Sequence, residues 1–407
     1  MVEIKTINTE IVVIGAGIAG LWLTNVLKNN GVDCILLESD AIGAKQTINS
    51  QGMLHSGVKY ALQGKVTSEM QSISDSEALL LWQQAFSGQS IIKLTANCKL
   101  IDHQYLWSNS NLSSKVANFF ISNLLKSKVE KINVENYPQI FKNPKFTGSI
   151  YKLYETVLNL PVVLQELFVN VYKNCLKIDG IDLELINNDS EISKLFINIA
   201  GERILLSAKQ YIFTAGEGIQ KFSNLFKNAP QMQVRPLHMV AVKSKNLPLL
   251  YGHNIDLQAI PIVTISSHQT LDHQIVWYCG GKIAEDGVNK NTADQIIVFK
   301  KTLNALFPWL AFNDQEFSWG GFHINRAEYL QSNGKKPNTA TWFKLNNAIF
   351  AWPTKLVMAP MMAMDIFKYV QKNVSLRSKD LKTSSDFVNF VEKLPRPSIA
   401  IPYWDNL

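Results

Sequence analysis

Apolar and polar positions near the start of this chain spell a strand, a glycine turn, a helix and a second strand. In "EIVVIGAGIAGLWLTNVLKNNGVDCILLESD", Glu10 to Asp40, a β-rich apolar run meets three glycines, then apolar residues at helical spacing, then "CILLE". Helical spacing resumes over roughly Thr67 to Phe86, and "IIKLTANCKLIDHQYLW" then alternates as a pair of strands that leaves the first unit. "LFINIAGERILLSAKQYIFTAGEG" reads as a hairpin followed by an apolar strand ending at Thr214, Ala215 and Gly216. "VRPLHMVAVKS", "QIVWYCGGKIAEDG" and "FSWGGFHINRAEYL" alternate again, as strands of an antiparallel sheet do, with a helix over about Ala293 to Phe307 between them. "NNAIFAWPTKLVMAPMMAMDIFKYV" closes the pattern as strand, loop and helix.

The glycine turn has a chemical meaning. Gly15 permits the sharp bend, Gly17 lets a pyrophosphate approach the backbone, and Gly20 lets helix and strand pack closely. Ile18 and Ala19 then stand at a helix N-terminus, where backbone N–H groups face an anion. Glu38 ends the second strand near the offset at which a carboxylate accepts hydrogen bonds from an adenosine ribose, and its charge opposes a 2′-phosphate. The unit predicts dinucleotide binding. FAD and NAD both fit it.

Composition narrows the class. The 407 residues suggest two or three domains, and 46% apolar with 18% charged residues describes a folded globular chain. The formal charge of +7 is spread over single and paired lysines, which reads as a solvated surface, and no nucleic-acid partner is expected. Cys34, Cys98, Cys175 and Cys279 lie far apart, so no metal or iron–sulfur site is expected. The opening "MVEIKTINTE" runs straight into a strand without a cleavable leader, which predicts a cytoplasmic protein. Pro353, Lys355, Pro360 and Asp365 interrupt the most apolar late stretch and argue against a membrane span. Peripheral contact with the inner membrane face stays open.

The run "AKQTINSQGMLHSGVKYALQG" resembles the flavin-contacting segment of D-amino-acid-oxidase-like FAD-dependent oxidoreductases. The resemblance is nearest to the glycerol-3-phosphate dehydrogenase and L-2-hydroxyglutarate oxidase branch, where an Asn or Ser, a Gly and then His-x-Gly-x-x-Tyr recur. It implies FAD. It also implies an α/β fold in which a Rossmann-like FAD-binding domain of the glutathione-reductase type interleaves with an α+β substrate domain built on an antiparallel sheet. The expected divisions are 1–90, 157–228 and 335–372 for FAD, 91–156 and 229–334 for substrate, and 373–407 as a C-terminal tail.

Residue by residue, Gly52 and Gly57 remove side chains where the chain passes a flat ring, and Thr47, Asn49 and Ser50 offer polar groups to phosphate or flavin. Ser39, Met53, Leu54, Ala215, Gly216 and Leu356 complete the cofactor contacts that the resemblance implies. His55 stands beside the flavin either as an acid–base group or as a structural histidine. Tyr151, Tyr154, His238 and Tyr278 are substrate-pocket candidates, against the alternative of ordinary sheet aromatics. Many family members carry a Trp-x-Gly-x-Arg-like run whose arginine binds the substrate carboxylate. Here Trp319-Gly320-Gly321 is followed by His323 at that position and Arg326 three residues later, on the opposite face of a regular strand. Arg326 ranks above His323 as the anion partner because it stays charged, with a surface pairing to Glu328 as the alternative. Lys355 stands where glycine is frequent in the family, either contacting the flavin or solvated in its loop.

The function expected is removal of a hydride from a CH–OH carbon of a small anionic substrate, a hydroxy acid or glycerol 3-phosphate type, to flavin N5, with dioxygen or a quinone as electron acceptor. An amine or amino-acid oxidase of the same fold, and a flavin-binding protein without turnover, are the alternatives.

Overall fold

A computed structural model describes residues 5–55, 68–109, 129–255, 261–313, 315–374 and 392–407, with the backbone alone described for 68–75. Gly57 lies outside these residues.

Four near-continuous apolar strands form the middle of a six-stranded central sheet because a parallel strand covered on both faces needs apolar residues on both. Its order is Thr341–Leu345, Ala348–Trp352, Gln210–Phe213, Ile11–Ile14, Cys34–Glu38 and Cys175–Lys177, parallel except for the first pair. Alternate residues serve two cores. Ile11, Val13, Leu36, Ile212 and Ile349 pack on helices that include Ile18–Asn29, Leu160–Val171 and Ala359–Asn373. Val12, Ile14, Leu37, Tyr211 and Phe213 pack on a four-stranded sheet that carries Ile192, Leu195 and Ile197.

The second large sheet has eight strands, in the order Ser318–Tyr329, Met232–Ser244, Ile275–Gly280, Pro261–Gln269, Gly252–Ile255, Gln104–Ser108, Ser149–Leu153 and Val129–Lys131. One pair, Gly252–Ile255 with Gln104–Ser108, is parallel, so the sheet is mixed and not purely antiparallel. The expected pair of strands between Ile91 and Trp107 is also corrected. Lys99–Ile101 joins Val157–Leu158 in a separate ladder, while Gln104–Ser108 enters the eight-stranded sheet. Two residues, Asp102 and His103, redirect the chain between the two sheets. The late helix spans Thr292–Leu306, started by the Asn291 side chain, which accepts from Asp294 N–H.

The last residues strap both parts of the molecule. Ile42 N–H donates to Ser398 O at 2.7 Å, and further on Trp404 stacks against His268 and Tyr278 with centroids 4.2 and 4.9 Å away. Among the described residues no helix is long and apolar enough to cross a membrane.

Candidate active site

The glycine turn is built by close approach. Gly15 has φ +103°, and a Cβ there would lie 2.5 Å from Ala215 Cα; a Cβ on Gly20 would lie 2.0 Å from Gly15 O. Thr214 Oγ1 donates to Gly15 O at 2.9 Å and ties the turn to the neighbouring strand. Gly17 differs. A Cβ there would meet only Thr47 Oγ1 among the described residues, at 3.2 Å, so its bareness serves space and not packing.

That space is a cavity of about 540 Å³ lined by Glu38, Ser39, Ile178, Gly17, Thr47 and Ala215 among others, with Lys355 and Leu356 also on its wall. Its features fit a dinucleotide. Gly17, the N-cap of the helix at Ile18, has no side chain to cap it and no acidic residue stands in the first turn; Ile18 N–H donates to Thr47 Oγ1 at 3.2 Å, and the other first-turn N–H groups face the anion. Glu38 accepts Ala16 N–H at 2.7 Å on one oxygen and Asp40 N–H at 2.8 Å on the other, which fixes the carboxylate and keeps lone pairs for ribose hydroxyls. Two cavity hydroxyls, Ser50 Oγ and Thr354 Oγ1, are buried without a hydrogen-bond partner among the described residues. Thr354 and the Ile178–Ile181 stretch carry no motif that would single them out in the sequence.

Not every expected cofactor contact lines this cavity. Gly15, Gly17, Ile18, Ala19, Glu38, Ser39, Thr47, Ser50, Ala215, Gly216, Lys355 and Leu356 do, whereas Gly20, Asn49, Gly52, Met53 and Leu54 do not. Asn49 instead accepts the Tyr278 O–H on its backbone oxygen, at 2.7 Å. Gly52, at φ +71°, has no room for a side chain: a Cβ would lie 2.5 Å from Leu158 O.

This contact positions His55. Leu158 N–H donates to Gly52 O at 2.8 Å, Leu54 N–H donates to Thr156 O at 3.0 Å, and Met53 pairs antiparallel with Val157. The same register sets residue 55 opposite residue 155. His55 Nδ1 lies 3.4 Å from Glu155 Oε2, with the carboxylate side chain 2% exposed and the imidazole 22%. Glu155, His253 and Gln51 escaped the sequence reading. His253 stands with its centroid 5.4 Å from that of His55, between Thr264 Oγ1 at 2.8 Å and Gln104 Oε1 at 3.0 Å. Gln51 Nε2 donates to Thr264 O and Tyr278 O, fastening the His55 segment to the eight-stranded sheet.

The other candidates separate. His323 and His238 are cross-strand partners, stacked at 4.0 Å, and both reach the 287–288 turn, His238 Nδ1 at Gly287 O and His323 Nε2 at Val288 O. Burial lowers the His238 pKa and so favours the neutral ring. Arg326 has the opposite parity and shares its face with Phe322, which stacks on Tyr278 at 5.6 Å. Its ion pair is with Glu285, Nη2 to Oε1 at 3.3 Å, and Glu328 pairs with Arg235 at 2.7 Å. Lys336 completes a cluster of three cations and two carboxylates; burial first, then the Arg235 and Arg326 charges, bring its pKa down to about 8. His253, Thr264, Gly280, Met239 and Phe322 follow one register row across the sheet, and Arg326 lies four residues, about 13 Å, further along its strand. Tyr151 is buried in its strand, while Tyr154 is 48% exposed and donates to Glu130 at 2.5 Å.

Comparisons with known proteins agree with this geometry. The sequence pattern of the FAD dependent oxidoreductase family matches residues 10–340. A probable FAD-dependent oxidoreductase of Pseudomonas aeruginosa, PA4991, is 32% identical over 403 residues, covering 98% of each chain. Its crystal structure superposes with a TM-score of 0.80 over 100% of this chain and 99% of that one, at 29% identity. Similarity to the anaerobic glycerol-3-phosphate dehydrogenase of Haemophilus influenzae is 33% identity over only 67 residues, 16% of this chain and 12% of that one. The expected nearness to that branch is thus narrowed to a partial one. The L-α-glycerophosphate oxidase of Mycoplasma pneumoniae shares the fold, at TM-score 0.62 and 11% identity over 91% of this chain and 97% of that one.

Proposed function

This chain belongs to the family of FAD-dependent oxidoreductases and uses FAD, and from that premise we propose that it oxidises a CH–OH group of a small anionic substrate. When bound, FAD supplies the two-electron acceptor, its N5 taking the hydride from the substrate carbon. The observation that carries the reading is the pairing of the half-buried His55 ring with the buried Glu155 carboxylate. A hydroxyl must give up its proton as it becomes a carbonyl, and a neutral imidazole is suited to take it near pH 7. Glu155 fixes the ring and opposes the positive charge that the transferred proton brings. An amine in its neutral form makes no such demand on a base. The partial likeness to glycerol-3-phosphate dehydrogenase supports the same choice.

The remaining residues follow from their places. The N-terminus of the helix at Ile18, with Gly17, holds the pyrophosphate, Glu38 the ribose, and Ser50 and Thr354 give their hydroxyls to the cofactor. Lys355, which lines the cavity, contacts the flavin. Arg326, with Arg235 and Lys336, attracts the substrate anion. His323 and His238 hold the 287–288 turn. Dioxygen or a quinone re-oxidises the enzyme.

Anaerobic mixing with a panel of 2-hydroxy acids, glycerol 3-phosphate and amino acids tests the proposal. Bleaching of the bound flavin by a hydroxy compound, without ammonia release, and its slowing by ~100-fold in His55→Ala, are expected. Bleaching by amino acids alone, with ammonia, would instead establish an amine oxidase, and no bleaching by any member a protein without this turnover.

A further inference from the structure

Gln51 stands in the segment that carries His55, and its side chain reaches out of that segment to the substrate sheet. The amide nitrogen donates to Thr264 O at 2.9 Å and to Tyr278 O at 2.8 Å, carbonyls of the neighbouring strands Pro261–Gln269 and Ile275–Gly280. Two amide hydrogens meet two acceptors. The amide oxygen turned toward these carbonyls would make no bond, so the partners fix the orientation of the side chain. Gly280 completes the seat: a Cβ there would lie 3.0 Å from Gln51 Oε1 and 2.7 Å from Met239 Cε, and its absence leaves room for the amide. Tyr278, fully buried, grips the same segment a second time through its hydroxyl, which donates to Asn49 O at 2.7 Å.

The ladder of residues 52–54 with 156–158 sets His55 in register with Glu155. Gln51 and the Tyr278 hydroxyl tie the same segment to the face of the eight-stranded sheet, so His55 is placed against both. A base works only within hydrogen-bond reach, about 2.6–3.2 Å, of the proton it takes. A shift of about 1 Å costs ~100-fold. We propose that Gln51 is a positioning residue: by holding its segment to the strands at Thr264 and Tyr278, it keeps His55 within reach of the substrate hydroxyl. The inference rests on the reading of His55 as the base given above.

The test uses the FAD-bound protein and Gln51→Met, which keeps the length of the side chain and removes both donors. Anaerobic flavin reduction at saturating concentrations of the best substrate of the panel is expected to slow ~10–100-fold, with FAD content and the substrate dissociation constant within about two-fold of the parent. In a His55→Ala background the same substitution should cost at most a few-fold, because the base that it places is gone. A parent rate in Gln51→Met beside a slow His55→Ala would overturn the proposal, as would the full Gln51→Met loss repeated in the His55→Ala background. Hydrogen exchange followed by mass spectrometry supplies a readout independent of turnover. Residues 49–55 should exchange faster in Gln51→Met while the strand Met232–Ser244 keeps the protection of the parent, and unchanged exchange over 49–55 overturns the proposal. Should His55→Ala reduce at the parent rate, the base reading fails, and the exchange measurement still decides whether Gln51 anchors the segment.

Discussion

Replacing Glu155 by glutamine removes one charge and almost nothing else. The side chain keeps its length and an oxygen able to face His55 Nδ1, so the register between 52–54 and 156–158 is undisturbed. At 3.4 Å two unit charges attract by about 5 kcal/mol with an effective dielectric of about 20, the value suited to sites such as this. If about half of the proton's charge has reached the ring at the transition state, the loss is about 2.4 kcal/mol, or ~60-fold in rate. The measurement is anaerobic rapid mixing at saturating substrate, followed by flavin bleaching, with FAD content and thermal unfolding as controls for intact structure. Combining Glu155→Gln with His55→Ala should cost little beyond His55→Ala alone, because the carboxylate acts through the ring. A Glu155→Gln protein that bleaches at the parent rate would refute the claim that this pair handles the proton.

Gly17→Val should leave the fold intact and abolish FAD retention, because only Thr47 Oγ1 stands near the new Cβ and the branched side chain fills the approach of the pyrophosphate; FAD absorbance after gel filtration reads this directly. Gly20→Ala should act on stability instead, with a lower unfolding temperature even without FAD, since its Cβ would press on Gly15 O. Glu38→Ala should weaken FAD binding by the loss of charge-assisted hydrogen bonds to ribose, each worth ~1.5–3 kcal/mol, measured by titration of the apoprotein. Affinity for the anionic substrate should fall as pH rises through about 8, because Lys336 loses its positive charge there. Lys336→Met should flatten that profile, and Arg326→Ala should raise the substrate dissociation constant in a salt-dependent way with the limiting rate preserved.

What could be read from the sequence alone is whatever rests on neighbours in the chain. The first strand, turn and helix, Gly15, Gly17 and Gly20 in their separate uses, and Glu38 at the end of its strand are all set within some thirty residues, where backbone geometry and apolar periodicity act directly. The opposite faces of His323 and Arg326 likewise follow from the two-residue period of one regular strand. Tertiary structure decided everything that depends on which distant segments meet. Glu155 is an unremarked carboxylate between Tyr154 and Thr156 until the ladder of Met53 with Val157 sets it against His55, a hundred residues away. Gly52 makes room for the Leu158 backbone in that ladder, and Arg326 takes Glu285 rather than Glu328 because a helix from another part of the chain brings a carboxylate to it. Periodicity tells a side chain which face to take; only register and packing supply the partner it finds there.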